Sequence, residues 1–172
     1  MIRSSLSHSP LRIFGIFSFS TRKSTTMACP RSWVPIPASH PFSLSNIPFG
    51  IIHSKHDTSH RPAVAIGDFI LDLKAFSLHN GFSLLPSLDI SVFSSTKLNA
   101  FAALGRPVHR EVRAYLQDIF SESTTHPELL RDNEEAKTAA FLPKYETKTH
   151  LPMQIGDYTD FFAGINHAFN VG

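Results

Sequence analysis

The chain has 172 residues, of which 42% are hydrophobic, 8 are Gly and 12 are Pro, and its formal net charge is +2. That composition suits one ordinary domain with room for part of a second, and it excludes a disordered chain, a collagen and a coiled coil. No apolar run approaches the ~18 residues that a membrane-spanning helix needs, and the single cysteine, Cys29, allows neither an internal disulfide nor a cysteine-based zinc site, which fits a reducing compartment.

The net charge averages two unlike halves. Residues 1–56 hold six basic groups (Arg3, Arg12, Arg22, Lys23, Arg31, Lys55) and no acid, whereas residues 57–172 hold ten basic and fourteen acidic groups. Nucleic-acid binding needs Lys and Arg gathered on a folded face. Here the body is acidic, so no nucleic-acid partner and no membrane partner is expected. Residues 1–30 read as a leader. Within them, 1–26 are rich in Ser and Arg and free of acid, the composition of an organellar targeting segment. Two other readings stay open at this point: translation starting at Met27, and an unstructured tail. A cytoplasmic protein is expected, or a mitochondrial one if 1–26 is a true targeting segment.

From Trp33, WVPIPASHPF carries three prolines in ten residues, which enforces an extended, turn-rich entry without regular ladders. IPFGII (47–52) and RPAVAIGDFILDL (61–73) follow as strands. In the second, Val64 and Ile66 alternate with Ala63 and Ala65, and Phe69, Leu71 and Leu73 continue beyond Gly67-Asp68. Period-two patterning on both sides of Gly-Asp predicts a hairpin with a tight turn. Further on, Ser94-Ser95-Thr96 offer a cap to a short helix in KLNAFAALG that Gly105 ends. Pro107 suits the first turn of the next helix. There Val108, Val112, Leu116, Ile119 and Phe120 form one stripe, with Arg110, Glu111, Arg113 and Asp118 facing out. HPELLRDNEEAK predicts a further short helix opened by Pro127, and FLPKYETKTHLP an extended connector. The fold class is therefore mainly β with short helices.

Ten histidines invite metal-site readings. His53, His56 and His60, with Asp57, lie in HSKHDTSH between two strands; His56 and His60 share one face only if the segment is helical. A Ser- and Lys-containing polar stretch lacks the apolar support that fixes ligand geometry, so a solvated loop is expected. His40, His79, His109, His126 and His150 read as isolated.

The last segment, MQIGDYTDFFAGINHAFNVG, gathers Asp157, Asp160, several aromatics, an Asn and His167. Carboxylate oxygen suits Mg²⁺ or Ca²⁺, and an imidazole titrating near neutrality takes a proton from water. A helix over 160–167 would place Asp160 and His167 on one face about 10 Å apart. A capped turn with ordinary packing explains the same composition.

SWVPIPASHPFSLSNIPFGI, the RPAVAIGDFILDL hairpin, LNAFAALGRPVHREVR and above all IGDYTDF…H…NVG resemble the amino-terminal part of the fumarylacetoacetase family, in that order, over roughly 140 residues from Trp33. The resemblance implies an SH3-like β-barrel domain (31–150) followed by the first segment of a mixed β-roll catalytic domain (151–172). It implies hydrolysis of a carbon–carbon bond in fumarylacetoacetate, giving fumarate and acetoacetate in tyrosine and phenylalanine breakdown. It further implies Ca²⁺ and Mg²⁺ as cofactors, and a homodimer for the complete enzyme. Asp160 would be the first carboxylate ligand of the metal and His167 the catalytic histidine. Phe162 stands where the family usually has a substrate-contacting tyrosine, which removes a phenolic hydroxyl. The remaining metal carboxylates and oxyanion donors of the family come later than residue 172, so the 172 residues alone are expected to be inactive. An SH3-like interaction module, and an unrelated metal enzyme using 53–60 or 157–167, are the competing readings.

Overall fold

The computed structural model describes residues 31–171 apart from Tyr158, Asp160 and Phe162; the leader reading for 1–30 falls outside them. Five strands form one antiparallel sheet: β1 (Phe49–Ser54), β2 (Arg61–Ile66), β3 (Phe69–Asp72), β4 (Phe141–Pro143) and β5 (Thr147–His150), in the spatial order β4-β3-β2-β1-β5. The helices are α1 (Leu73–Leu78), α2 (Asn99–Ala103), α3 (Gly105–Phe120), α4 (Glu134–Ala140) and α5 (Ile165–Val171).

The expected hairpin is β2–β3. Ile66 pairs with Phe69 across the two-residue turn Gly67-Asp68, and Gly67 has φ +53°. A positive φ at the first turn position suits glycine and matches the twist of the flanking strands. The pocket over Gly67 is also tight, because a Cβ there would sit 3.1 Å from the Pro35 carbonyl oxygen.

Period two sorts the sheet into two unlike faces. Ile51, Val64, Ile66 and Leu71 point into the main core with Val112, Leu116, Ile119 and Phe120 of α3. Ile52, Ala63, Ala65 and Ile70 point the other way, into a smaller cluster with Phe42 and Leu142. The stripe on α3 is therefore core-facing, although Arg113 lies partly buried, its guanidinium 5.6 Å from the Phe49 ring centre. Trp33 locks the entry segment to the end of α3: its indole N–H donates to the Ile119 carbonyl at 2.9 Å, and its ring meets Phe120 and Phe141. Apart from the bridge Ser32–Ser121, residues 32–48 make no ladder, as the prolines dictate.

Three expectations need correcting. The cap of α2 is Leu98, without a side-chain hydrogen bond, because Ser95 turns back to receive the Lys97 N–H instead. The helix in HPELLRDNEEAK opens at Asn133, whose side chain accepts the Ala136 N–H at 3.0 Å, whereas Pro127 begins only a single 3-10 turn. The expected connector FLPKYETKTH holds two strands, one on each edge of the sheet. Only Lys144–Glu146 separates them. Four residue steps reach about 14 Å, whereas four strand spacings in a flat sheet span about 19 Å. The sheet must therefore curl until its edges approach. Lys144 N–H donates to the Asp68 carbonyl and Lys55 N–H to that of Glu146, both at 2.9 Å, fastening the link at each edge.

Candidate functional site

The motif segment leaves the body at the end of β5 and is held there by a few polar bonds. Leu98 N–H donates to the Pro152 carbonyl at 2.8 Å, and the Lys97 ammonium to that of Leu151 at 3.0 Å. The Asn99 side chain clasps Gln154 from both sides, its amide donating to the Gln154 carbonyl (3.0 Å) and its oxygen accepting the Gln154 N–H (2.8 Å). Beyond this clasp every described residue is exposed. Ile155, Phe161, Ile165 and Phe169 are 72–82% exposed, an unusual state for large apolar groups.

His167 lies on α5, which starts at Ile165. A helix running from 160 to 167 is thus not formed, and the two-turn spacing of Asp160 and His167 does not apply. Asp160 and Phe162 lie outside the described residues. The only acids from residue 151 onward are Asp157 and Asp160. Ca²⁺ takes six to eight oxygen ligands, and Mg²⁺ six in a near-ideal octahedron. The acids of this segment do not by themselves fit either ion.

A second constellation was not expected from the sequence. His53 Nδ1 lies 2.6 Å from His150 Nε2, and the His60 ring stacks on that of His150, with centroids 3.8 Å apart. One ring nitrogen from each of the three lies within 4.8 Å of the others, and each residue is half-buried. The register explains the meeting. Ile52 pairs with Arg61 and Ile51 with His150. Continuing that register puts His60 opposite His53, and His150 diagonal to His53 on the same face. Partial burial first, then the neighbouring His60 and His53 rings, then Lys97 and Lys148, lower the His150 pKa from its ordinary value.

The loop before His60 is fixed by a buried ion pair. Arg61 and Asp72 are 6% and 2% exposed and are joined through Nε and Oδ2. The same guanidinium donates to the carbonyls of Asp57 (3.1 Å) and Ser59 (2.9 Å) and to Ser54 Oγ (3.2 Å). The other oxygen of Asp72 accepts the Lys74 and Ala75 N–H groups and caps α1. Asp57 in turn accepts the Ser59 N–H at 2.8 Å and the Ser59 hydroxyl at 2.9 Å. Those bonds, in that order, hold its carboxyl below the ordinary value, and Arg61 adds to the effect. Residues 55–60 of HSKHDTSH are accordingly a loop with ordered geometry, and Arg61 supplies the support that its polar composition concealed. His56 stays exposed, outside the cluster.

Four of the other described histidines each face a polar partner. His40 faces Asp68 at 3.4 Å, His79 faces Glu135 at 3.9 Å and His126 faces Glu128 at 3.5 Å. His109 Nε2 lies 2.9 Å from the Phe101 carbonyl oxygen, to which it donates. The curled second face of the sheet holds a cavity of about 710 Å³, lined by Phe42, Ile52, Ala63 and Ile70 and rimmed by Lys144 and Lys148. No helix among the described residues is long and apolar enough to cross a membrane.

Residues 45–152 match the family described as Fumarylacetoacetase N-terminal. The fumarylacetoacetase of Emericella nidulans is 58% identical over 143 residues, covering 82% of this chain and 33% of that protein. Those of Aspergillus fumigatus and Homo sapiens are 56% and 39% identical, with the same two shares covered. The chain spans about a third of the length of the curated relatives it matches.

Proposed function

We propose, from the premise that this chain belongs to the fumarylacetoacetase family, that it forms the amino-terminal part of an enzyme cleaving fumarylacetoacetate with water to fumarate and acetoacetate. The observation that carries this reading is the 58% identity to a protein of that name, over an alignment of 143 residues that is longer than the matched domain. In this proposal residues 31–150 are an SH3-like barrel, a reading supported by the curl that a three-residue link between the sheet edges imposes. Residues 151–172 begin the catalytic domain, and the exposed Ile155, Phe161, Ile165 and Phe169 are the faces that domain would cover.

His167 is the proposed general base. Its imidazole takes a proton from water as the water oxygen bonds to the fumaryl ketone carbon, which becomes a carboxyl carbon of fumarate. The carbon–carbon bond then breaks, and its electron pair leaves on the acetoacetate carbon, which is reprotonated. Phe162 contributes an apolar ring without the hydroxyl of the family's tyrosine, so one hydrogen bond to substrate is missing, worth about 1 kcal/mol. Asp160 is the proposed single carboxylate that this segment offers to Ca²⁺ or Mg²⁺. One such ligand leaves the ion to further acids of the whole enzyme, and the 172 residues alone are proposed to be inactive. The proposal extends to a homodimer of the complete enzyme, placed in the cytoplasm, or in mitochondria should residues 1–26 prove to be a targeting segment.

Sequencing the transcript beyond the Gly172 codon, and assaying the protein it encodes for loss of the diketone, tests this. Further Asp and Glu codons, turnover by the encoded protein, and a fall of about 10³-fold or more in the His167→Ala variant are expected. Turnover that survives His167→Ala removes the assigned base. A message that stops at Gly172 and yields no turnover favours the interaction-module reading instead.

A further inference from the structure

We infer that His53, His60 and His150 form a three-imidazole site for one zinc-class divalent transition metal ion, with a water molecule as fourth ligand. The inference is independent of the proposed hydrolase reading, because it uses none of residues 151–172.

Four observations support it. The three rings come from three neighbouring positions in the sheet register, β1, the residue before β2, and the end of β5, so the backbone itself holds them together. Among the described residues, this is the one group of three potential metal-ligating side chains whose ligand atoms converge, and it contains no carboxylate. All-imidazole sites select Zn²⁺, Cu²⁺ or Ni²⁺ over Mg²⁺ and Ca²⁺, which require oxygen. The site is also half-buried and backed by the Arg61–Asp72 pair, which fixes the loop leading to His60. Finally, the distances lie within reach. Nitrogens bound at 2.0–2.1 Å in a tetrahedron sit about 3.3 Å apart. The 2.6 Å His53–His150 separation must open slightly and the widest, within 4.8 Å, must close. The His60 and His150 rings, stacked at 25° to each other, must also turn apart so that their in-plane nitrogen lone pairs meet at one ion, a rotation of the soft χ2 torsions.

The surroundings set the role. Lys97 and Lys148 act on His150 electrostatically and oppose a dication, so ligand affinity, not field, must hold the ion. His150 is the last residue of β5, immediately before the segment that carries His167. A bound ion would staple β5 to β1 and to the start of β2, and so fix the direction in which that segment leaves the body. The three protein ligands would clamp the strands while the water position stays exchangeable, and the site is separate in ligand type from the oxygen-ligated ion that the family resemblance implies.

The test uses the whole 172-residue chain stripped of metal and titrated with Co²⁺, then with Zn²⁺. Expected are about one Co²⁺ per chain with the visible absorption of a tetrahedral site, its displacement by Zn²⁺, and a rise in Tm on Zn²⁺ binding. Excess Mg²⁺ or Ca²⁺ should not compete. Each of His53→Asn, His60→Asn and His150→Asn should weaken binding roughly a hundredfold or more, whereas His56→Asn should change it by less than about twofold. Absence of saturable binding, or an equal loss in His56→Asn, overturns the site. Should a variant fail to fold, X-ray absorption of the wild-type Zn²⁺ complex decides. Three imidazole ligands support the assignment; fewer, or a sulfur ligand from Cys29, overturn it.

Discussion

Residues 31–150 and residues 151–171 use the same kinds of side chain to opposite effect. In the first stretch Phe76, Phe93 and Phe120 are fully buried, and among the described residues no buried side-chain polar atom lacks a partner. In the second, Phe161 and Phe169 are 72% and 82% exposed, and hydrogen bonds from its first four residues tie it to the body. The second stretch nonetheless carries His167, the general base of the proposed function. A residue pattern that suggests chemistry and a packed core are separate properties, and here they lie on either side of His150.

The sharpest way to break the comparison is to make one deletion in both regions. Phe120→Ala removes a ring that touches Trp33 and Phe141 within the core. It is expected to cost about 3–5 kcal/mol, because the cavity cannot collapse fully. Phe169→Ala, on the exposed face of α5, is expected to change stability by less than about 0.5 kcal/mol. Urea unfolding of both variants measures the contrast. A loss of more than about 1 kcal/mol at Phe169 would mean that α5 is docked in solution.

A polar probe of the body comes next. Asp72→Ala leaves the Arg61 guanidinium buried without its carboxylate and uncaps α1. A cost of about 3–5 kcal/mol is expected for the broken buried pair. The charge-conserving Asp72→Glu variant should recover only part of it, since the longer carboxylate cannot both cap α1 and reach Arg61. The loop over 54–60 should lose hydrogen-exchange protection ahead of the sheet, because Arg61 is what holds the Asp57 and Ser59 carbonyls.

These pairs also show how far the sequence could be read. Alternation through Val64, Ile66, Phe69 and Leu71, around Gly67-Asp68, placed the central hairpin and its buried face, because both are local properties of five or six residues. The α3 stripe was legible for the same reason. The strand at 141–143 was not, since FLP has no alternation to display in three residues and pairs only because the curled sheet brings Leu71 and Phe69 beside it. The strand at 147–150 was missed likewise, and with it the histidine cluster, for His53 and His150 are 97 residues apart. The 53/60 pairing was accessible from the hairpin register in principle, but Ser, Lys and Asp between them disguised a loop that Arg61 orders from outside. Of the motif residues, His167 is placed on a short helix, and the chemistry of Asp160 rests on resemblance alone.

A milder change tests the joint between the two regions. Asn99→Ala removes both halves of the clasp on Gln154 while leaving α2, which gains no cap from that side chain. The expected cost is about 1 kcal/mol or less in global unfolding. Amide exchange at Gln154 should accelerate far more than exchange in β5. An equal rise in both would show that β5 depends on the joint, and that the two regions are one cooperative unit.

The smallest expected effect is the pH dependence that the histidine cluster contributes in the absence of metal. Partial burial, then His60 and His53, then Lys97 and Lys148, disfavour a proton on His150 in the folded chain. The unfolded chain carries no such penalty and takes the proton near the ordinary value of about 6.5. As pH falls through that value the unfolded state binds more protons than the native state, so stability declines. The contribution is fully present above about pH 6.5 and is lost progressively below it, until the folded imidazole also protonates. Because the cluster sits at a sheet end open to solvent, water and salt screen the effect. Urea midpoints at about pH 7.5 and about pH 5.5, with chelator present, should fall for the wild type and fall less for His150→Asn. A midpoint that rises on acidification would mean that the three rings share an added proton favourably. That outcome would reverse the sign assigned to His150 and turn the junction between the two regions into an acid-stabilised one.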